Sequence, residues 1–142
     1  MPKLSYPYFP YPENPLPRPA APAMVINLLN GKSAPLLGIL DTGADRVSLT
    51  DEFLDILEID PVFLSETDLG GVHGIAPVRY CDFLKIAFVE LPSKILYFPN
   101  RDAPVPIHFT SGSPFCLLGQ ESFLGLCHST FDGLRKVSTI SF

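Results

Sequence analysis

The stretch GILDTGADRVS, from Gly38 to Ser48, is the most informative part of the sequence. Its apolar start predicts a strand that ends at Asp41, followed by a loop of the small residues Thr42, Gly43 and Ala44. A carboxylate at a strand end among small residues has the surroundings that a general base for water requires. Taken alone, however, D-T-G is explained better as an Asx-turn that leaves a strand.

The flanking sequence predicts a mostly β domain. Met24–Leu29 is rich in β-formers, and Asn30-Gly31 is a favoured two-residue turn into a second strand, Pro35–Leu40. Further strands are predicted at Val78–Phe88, Lys94–Phe98 and Pro114–Leu118, with a closing hairpin from Ser129 through Asp132-Gly133 to Phe142. Gly119–Leu126 is the best candidate for a short helix, and Asp51–Ile59 could form one or two helical turns. This pattern is typical of a closed barrel or a sandwich.

Two more stretches carry recognisable motifs in the same chain order. Leu69–Ile75 reads LGGVHGI and is followed by VRY, and Leu117–Gln120 reads LLGQ and is followed, after Glu121, by SFL. With D-T-G-A-D, this ordered set resembles the active-site loop, the glycine-rich flap and the C-terminal hydrophobic-hydrophobic-glycine strand of retroviral-type (retropepsin-like) aspartic proteases. The resemblance covers about residues 24–142. It implies an all-β fold, a closed β-barrel of the retropepsin type with one short C-terminal helix, forming a two-fold homodimer.

The resemblance also implies roles for individual residues. Asp41, Thr42 and Gly43 would be catalytic, with Thr42 bonded to the partner's loop. The substrate-binding residues would lie in the loop and the flap: Ala44, Asp45, Gly70, Gly71, Val72, His73 and Gly74. The flap glycines would allow it to close over a peptide and exclude water.

Two residues depart from the family pattern. Gln120 stands where an Arg can brace Asp45, so that brace is in doubt. His73 replaces a glycine or an apolar residue at the expected flap tip. It could restrict the flap, contact substrate or simply face solvent.

One D-T-G in a chain without D-S-G excludes a bilobal, pepsin-type monomer. The second acid must then be Asp41 of a second copy, brought close by two-fold symmetry. Two charges about 3 Å apart repel by roughly 5 kcal/mol at an effective dielectric near 20, so the pair shares one proton. The sequence therefore predicts an aspartic endopeptidase that cleaves a peptide or protein substrate without a cofactor, most active in mildly acidic to near-neutral solution. The resemblance also implies that the strand Val137–Phe142 pairs between protomers.

Two other functions stay open. One is a catalytically silent dimer of the same fold that binds peptides or acts as a scaffold. The other is an interaction protein whose active part is the N-terminal segment.

Residues 1–23 form a distinct proline-rich part, ahead of a domain at residues 24–142. Eight of the 16 prolines lie in the first 22 residues, so an extended or polyproline II arm is predicted, and a helix or central strand is not. The arm could be disordered, lie on its own domain, present P-x-x-P motifs to an SH3-like domain, or act as a pro-segment or lid.

Composition excludes several other classes. The net charge of −5 argues against nucleic acid as a partner. No apolar run of about 18 residues is present, so no membrane span is predicted. Three widely spaced cysteines and the lack of a visible signal peptide favour a cytoplasmic protein. No C-x-x-C or H-x-x-x-H spacing indicates a metal site. An apolar fraction of 46% suggests surface buried against another chain.

Overall fold

The computed structural model describes residues 2–11, 14–71, 74–111 and 115–142. Most of these residues are in strands, which are numbered here in chain order. The strands are β1 (Lys3–Pro7), β2 (Phe9–Tyr11), β3 (Asn14–Arg18), β4 (Ala20–Asn27), β5 (Ser33–Leu40), β6 (Val47–Thr50), β7 (Ser65–Gly71), β8 (Gly74–Val89), β9 (Leu96–Tyr97), β10 (Val105–Thr110), β11 (Cys116–Leu118), β12 (His128–Asp132) and β13 (Val137–Ser141).

Six strands close into a barrel in the order β10-β6-β11-β5-β4-β8, and β8 pairs back onto β10 to complete the ring. The predicted closed β-barrel is therefore confirmed. The predicted β4–β5 hairpin is formed, but its loop runs from Leu28 to Lys32 and is longer than the predicted two-residue turn. Gly31 in this loop has a positive φ of 77°, and its N–H donates to the Asn27 carbonyl at 2.7 Å. β11 runs parallel to β5, which places its end beside the end of β5.

A second sheet has the order β1-β13-β12. The C-terminal strand β13 thus pairs on both edges within its own chain, with Lys3 opposite Ser141 and His128 also opposite Ser141. The expectation that this strand would pair with another protomer is not met in the single chain. The outer strands of the sheet are β1 and β12.

The proline-rich N-terminal segment is extended, as predicted. Two of its residues, Leu4 and Tyr6, are buried in the same core as Ile140, and the Tyr6 hydroxyl donates a 2.8 Å hydrogen bond to the Val89 carbonyl. The expectation that no residue of this segment enters a central strand was wrong, because β4 begins at Ala20 and contains Pro22. Proline is tolerated there because β4 pairs with β8 only from Ala23 onward.

The short α-helix of the described residues is α1 (Glu52–Ile56), which buries Phe53 and Leu54. The C-terminal helix predicted over Gly119–Leu126 is not formed, and Leu124–Leu126 make a single 3-10 turn instead. Ser122 has a φ of 59°, which a right-handed helix cannot accommodate. Within the described part of the chain, no helix has the length and apolar character needed to cross a membrane.

Candidate functional site

Asp41 follows directly on β5 at one end of the barrel. Its backbone N–H donates to the Leu118 carbonyl on β11, at 3.1 Å, so the strand pairing extends to the acid itself. The Gly43 N–H donates to Asp41 Oδ1 at 2.9 Å, and the Ala44 N–H donates to the Asp41 carbonyl at 3.2 Å. Asp41 is half-buried. The turn therefore fixes the orientation of the carboxylate while leaving it partly open to solvent.

The segment after β11 holds this loop through its backbone. The Gln120 N–H donates to the Ala44 carbonyl at 2.9 Å, and the Glu121 N–H donates to the Asp45 carbonyl at 2.7 Å. The Gln120 side chain adds a bond from Nε2 to the Thr42 carbonyl, at 2.9 Å. Gln120 therefore braces the loop through carbonyl groups of the backbone, a different device from an Arg on the Asp45 carboxylate.

Gly119 is required for this close approach. A Cβ atom at residue 119 would lie 2.8 Å from the Ala44 carbonyl oxygen and closer still to that of Arg46. Both obstacles are backbone atoms, which cannot rotate away as a side chain can. The L-L-G part of the motif thus allows two segments more than 70 residues apart to lie against each other.

Arg46 links the loop to His108, a buried residue in the wall of the barrel. Its Nε lies 2.7 Å from Glu121 Oε2, and its Nη1 lies 2.9 Å from His108 Nε2. His108 is only 3% exposed and lies on β10, opposite Ser48 on β6 and Tyr80 on β8. Glu121, Arg46 and His108 form one continuous polar row.

The environment of His108 favours its neutral form. Burial lowers the pKa of the imidazole below 6.5, the nearby Arg46 guanidinium lowers it further, and Glu121 opposes them more weakly. A neutral imidazole keeps a lone pair that can accept the Arg46 hydrogen bond.

This polar row is not predictable from the local sequence patterns. Arg46 was visible in the motif without a role, and Glu121 was not singled out. His108 lies in no recognisable motif of the sequence. The charges offer a weak signal, since the basic Arg46 directly follows D-T-G-A-D and the acidic Glu121 directly follows LLGQ.

The predicted glycine-rich hairpin is present in the backbone of β7 and β8, with Gly71 opposite Gly74 and Gly70 opposite Ile75. Val72 and His73 lie outside the described residues. Within the described ranges, β7 pairs with β8 and no strand pairing joins the hairpin to the Asp41 loop, whereas backbone bonds join that loop to the third motif. Its action as a flap stays a prediction.

Other chemistries find little support in the described residues. Those residues contain no group of three or more His, Cys, Asp or Glu side chains placed to hold a metal ion. The three cysteines are free thiols, with Cys81 and Cys116 buried and Cys127 half-buried. Burial raises the pKa of Cys81 to about 12 and that of Cys127 to about 11, so neither thiol supplies much thiolate near neutral pH.

No protein-family model and no curated protein matches this chain. Function must therefore be inferred from the geometry of the Asp41 loop and from the ordered motifs around it.

Proposed function

We propose that this protein is an aspartic endopeptidase whose catalytic acid is Asp41. The observation that carries the proposal is the Asp41 loop itself. It presents a half-buried carboxylate at the end of a barrel strand, bonded by the Gly43 N–H and braced from behind by Gly119–Glu121. Preorganisation of this kind is needed by a group that must meet a substrate in one orientation.

Peptide hydrolysis by carboxylates needs two of them. One carboxylate takes a proton from water as its oxygen attacks the carbonyl carbon, and the protonated second acid donates to the carbonyl oxygen. The resulting diol collapses, the C–N bond breaks, and the amine leaves with a proton returned by the pair. Since each chain supplies one D-T-G loop, we propose that the second acid is Asp41 of the partner subunit.

The exposed side of the Asp41 loop is free to contact a second copy in the proposed homodimer. Thr42, Gly43 and Asp45 are exposed in the single chain, although bonds hold the loop firmly on its inner side. Because β13 is paired on both edges within the chain, any strand added by a second copy would meet β1 or β12 first. In this proposal the β7–β8 hairpin closes over the bound peptide.

The decisive experiment compares Asp41→Asn with Asp132→Asn. Asp132 begins the only Asp-Gly pair of the chain, and its Oδ1 accepts backbone hydrogen bonds that an Asn side chain can also accept. Each protein is incubated with a mixed peptide library between pH 4 and 7, and the products are identified by mass spectrometry. We expect Asp41→Asn to lower the cleavage rate by about 10²–10⁴-fold, because both acids of the dimer are lost, while Asp132→Asn cleaves like the wild type.

Sedimentation of the same samples tests the partner subunit. We expect dimers for both variants, since an Asn pair removes charge repulsion at the axis. Cleavage that persists in Asp41→Asn, or a wild type that stays monomeric at every concentration that cleaves, would refute the proposal. Dimers that bind peptides without cleaving them would identify the silent binding module instead.

A further inference from the structure

We propose that Arg46 is a positioning residue, which ties the Asp41 loop to His108 and Glu121 and holds that loop in its working conformation only while His108 is neutral. The inference rests on the proposed function, because it assigns a role in the reaction of Asp41. Its structural part, the state of His108, can be measured without any cleavage.

The contacts of Arg46 place it at a junction of three segments. It ends the loop that begins at Asp41 and directly precedes β6. Its guanidinium contacts Glu121 at 2.7 Å and His108 at 2.9 Å, and its carbonyl lies against Gly119. A planar guanidinium with several fixed donors can bridge two acceptors in this way, which a lysine ammonium does less well.

The hydrogen bond to His108 has a required direction. Arginine has no acceptor, so His108 Nε2 must hold a lone pair and the ring proton must lie on Nδ1. Protonation of His108 removes that acceptor and places a second positive charge beside the guanidinium. Protonation of His108 therefore breaks its hydrogen bond with Arg46 and makes the two side chains repel each other.

The groups that face His108 come from each of its neighbours. Arg46 and Glu121 supply the charges, and the Tyr80 ring on β8 meets the imidazole edge-on, at 6.1 Å between centroids. Ser48 on β6 is its uncharged neighbour in the register. Arg46 is the nearest of the charges and opposes a protonated ring, whereas Glu121 is already paired with Arg46.

Loss of the Arg46–His108 hydrogen bond would affect the position of Asp41 through the backbone of the loop. The same short loop carries the Ala44 and Asp45 carbonyls that accept from Gln120 and Glu121. If the Arg46 end of the loop moves, these bonds weaken and the carboxylate loses its fixed orientation. A small misplacement of a catalytic group lowers kcat strongly while affecting substrate binding less.

The first test is direct. Long-range ¹H–¹⁵N NMR spectra of the whole protein, with His108 assigned by comparison with His108→Gln, report the tautomer and the titration of its ring. We expect the Nδ1–H tautomer at pH 7 and protonation of His108 below the ordinary histidine value of about 6.5. An Nε2–H tautomer, or a His108 that titrates at or above that ordinary value, would overturn the proposal whether or not the protein cleaves peptides.

The second test uses kcat across pH for His108→Gln, His108→Leu and the control His128→Gln. A glutamine oxygen can accept from Arg46 at every pH, so His108→Gln should keep most of the activity and move the acid limb to lower pH. His108→Leu removes the acceptor and should lower kcat between about tenfold and a hundredfold at all pH values, with KM little changed. His128→Gln should follow the wild type.

Arg46→Lys should likewise lower kcat, whereas Arg135→Lys on the exposed hairpin should not. An acid limb that is identical in wild type and His108→Gln, or equal activity of Arg46→Lys and wild type, would overturn the positioning role. If the wild type itself cleaves no peptide, the proposed function fails, and the NMR result still decides the link between Arg46 and His108.

Discussion

The Asp41 loop and the Asp132 turn use the same local chemistry in different surroundings. In both, an aspartate at the end of a strand accepts backbone N–H bonds at Oδ1, from Gly43 in the first and from Leu134 and Arg135 in the second. Each also has an arginine within five residues. The Asp41 loop is bonded to Gln120, Glu121 and His108, however, whereas the described hydrogen bonds of the Asp132 side chain stay within its own turn. That turn contacts a distant segment through the Lys136 carbonyl, which accepts from the Tyr8 N–H at 2.9 Å, and its Leu134 is 98% exposed.

The difference shows where functional information lies. Asx-turns are common local structures at aspartate residues, so the turn alone says nothing about catalysis. What distinguishes Asp41 is the second segment, Leu117–Glu121, which fixes its loop from behind. The following predictions test this contrast, in order of decreasing effect.

The largest expected difference between the two regions is in the free energy of unfolding that is lost when a leucine is truncated to alanine. Leu118 is fully buried beside the loop, so Leu118→Ala should lower the free energy of unfolding by about 2–5 kcal/mol. Leu134→Ala, at the exposed turn, should stay within about 0.5 kcal/mol of the wild type. Urea denaturation measures both, and equal losses in the two variants would contradict the contrast.

Gly119, behind the Asp41 loop, and Gly133, in the Asp132 turn, give a second comparison. A Cβ at residue 119 would collide with backbone carbonyls, so Gly119→Ala should cost about 1–3 kcal/mol and displace the Asp41 loop. A Cβ at Gly133 meets nothing within 4 Å, so Gly133→Ala should be nearly neutral. Thermal unfolding gives the stability, and the amide NMR shifts of residues 41–46 report the loop. Unchanged shifts in Gly119→Ala would show that the brace is dispensable.

The smallest expected effect is the dependence of stability on pH. The folded state holds the pKa of His108 below 6.5, so the unfolded chain binds this proton more readily. The stabilisation is fully present above about pH 6.5 and is lost as the pH falls through the folded-state value. The Tm of the wild type should therefore drop more steeply in this range than that of His108→Gln, by at most a few degrees. His128→Gln serves as the control, and parallel curves for wild type and His108→Gln would contradict the prediction.

Local signals predicted the barrel end that carries Asp41. Asn30-Gly31 set the β4–β5 hairpin, and the apolar run before Asp41 set the strand that ends there. The third motif was also found, because a glycine between an apolar pair and a polar residue is a recognisable local pattern. These features depend on residues close in the chain, which is why a single sequence reveals them.

Features that depend on distant residues were missed. The contact between Arg46 and His108 joins residues 62 positions apart, and nothing near either one indicates it. The helix predicted over Gly119–Leu126 fails because this segment turns to bond the Asp41 loop, with a left-handed Ser122 in its middle. The proline-rich segment suggested an arm, but the pairing of β1 with β13 is decided by strand edges that composition does not reveal.

The pairing of β1 with β13 has a consequence for how the chain folds. Pro7 lies opposite Val137, so this sheet forms only after a loop of about 130 residues has closed. Closure of so long a loop has a high entropic cost and slows folding, whereas the β4–β5 hairpin needs only its own turn. We expect the barrel hairpins to assemble first and β1 to dock last, with Leu4 and Tyr6 completing the core. Amide hydrogens of β1 should accordingly gain protection later during refolding than those of β4 and β5.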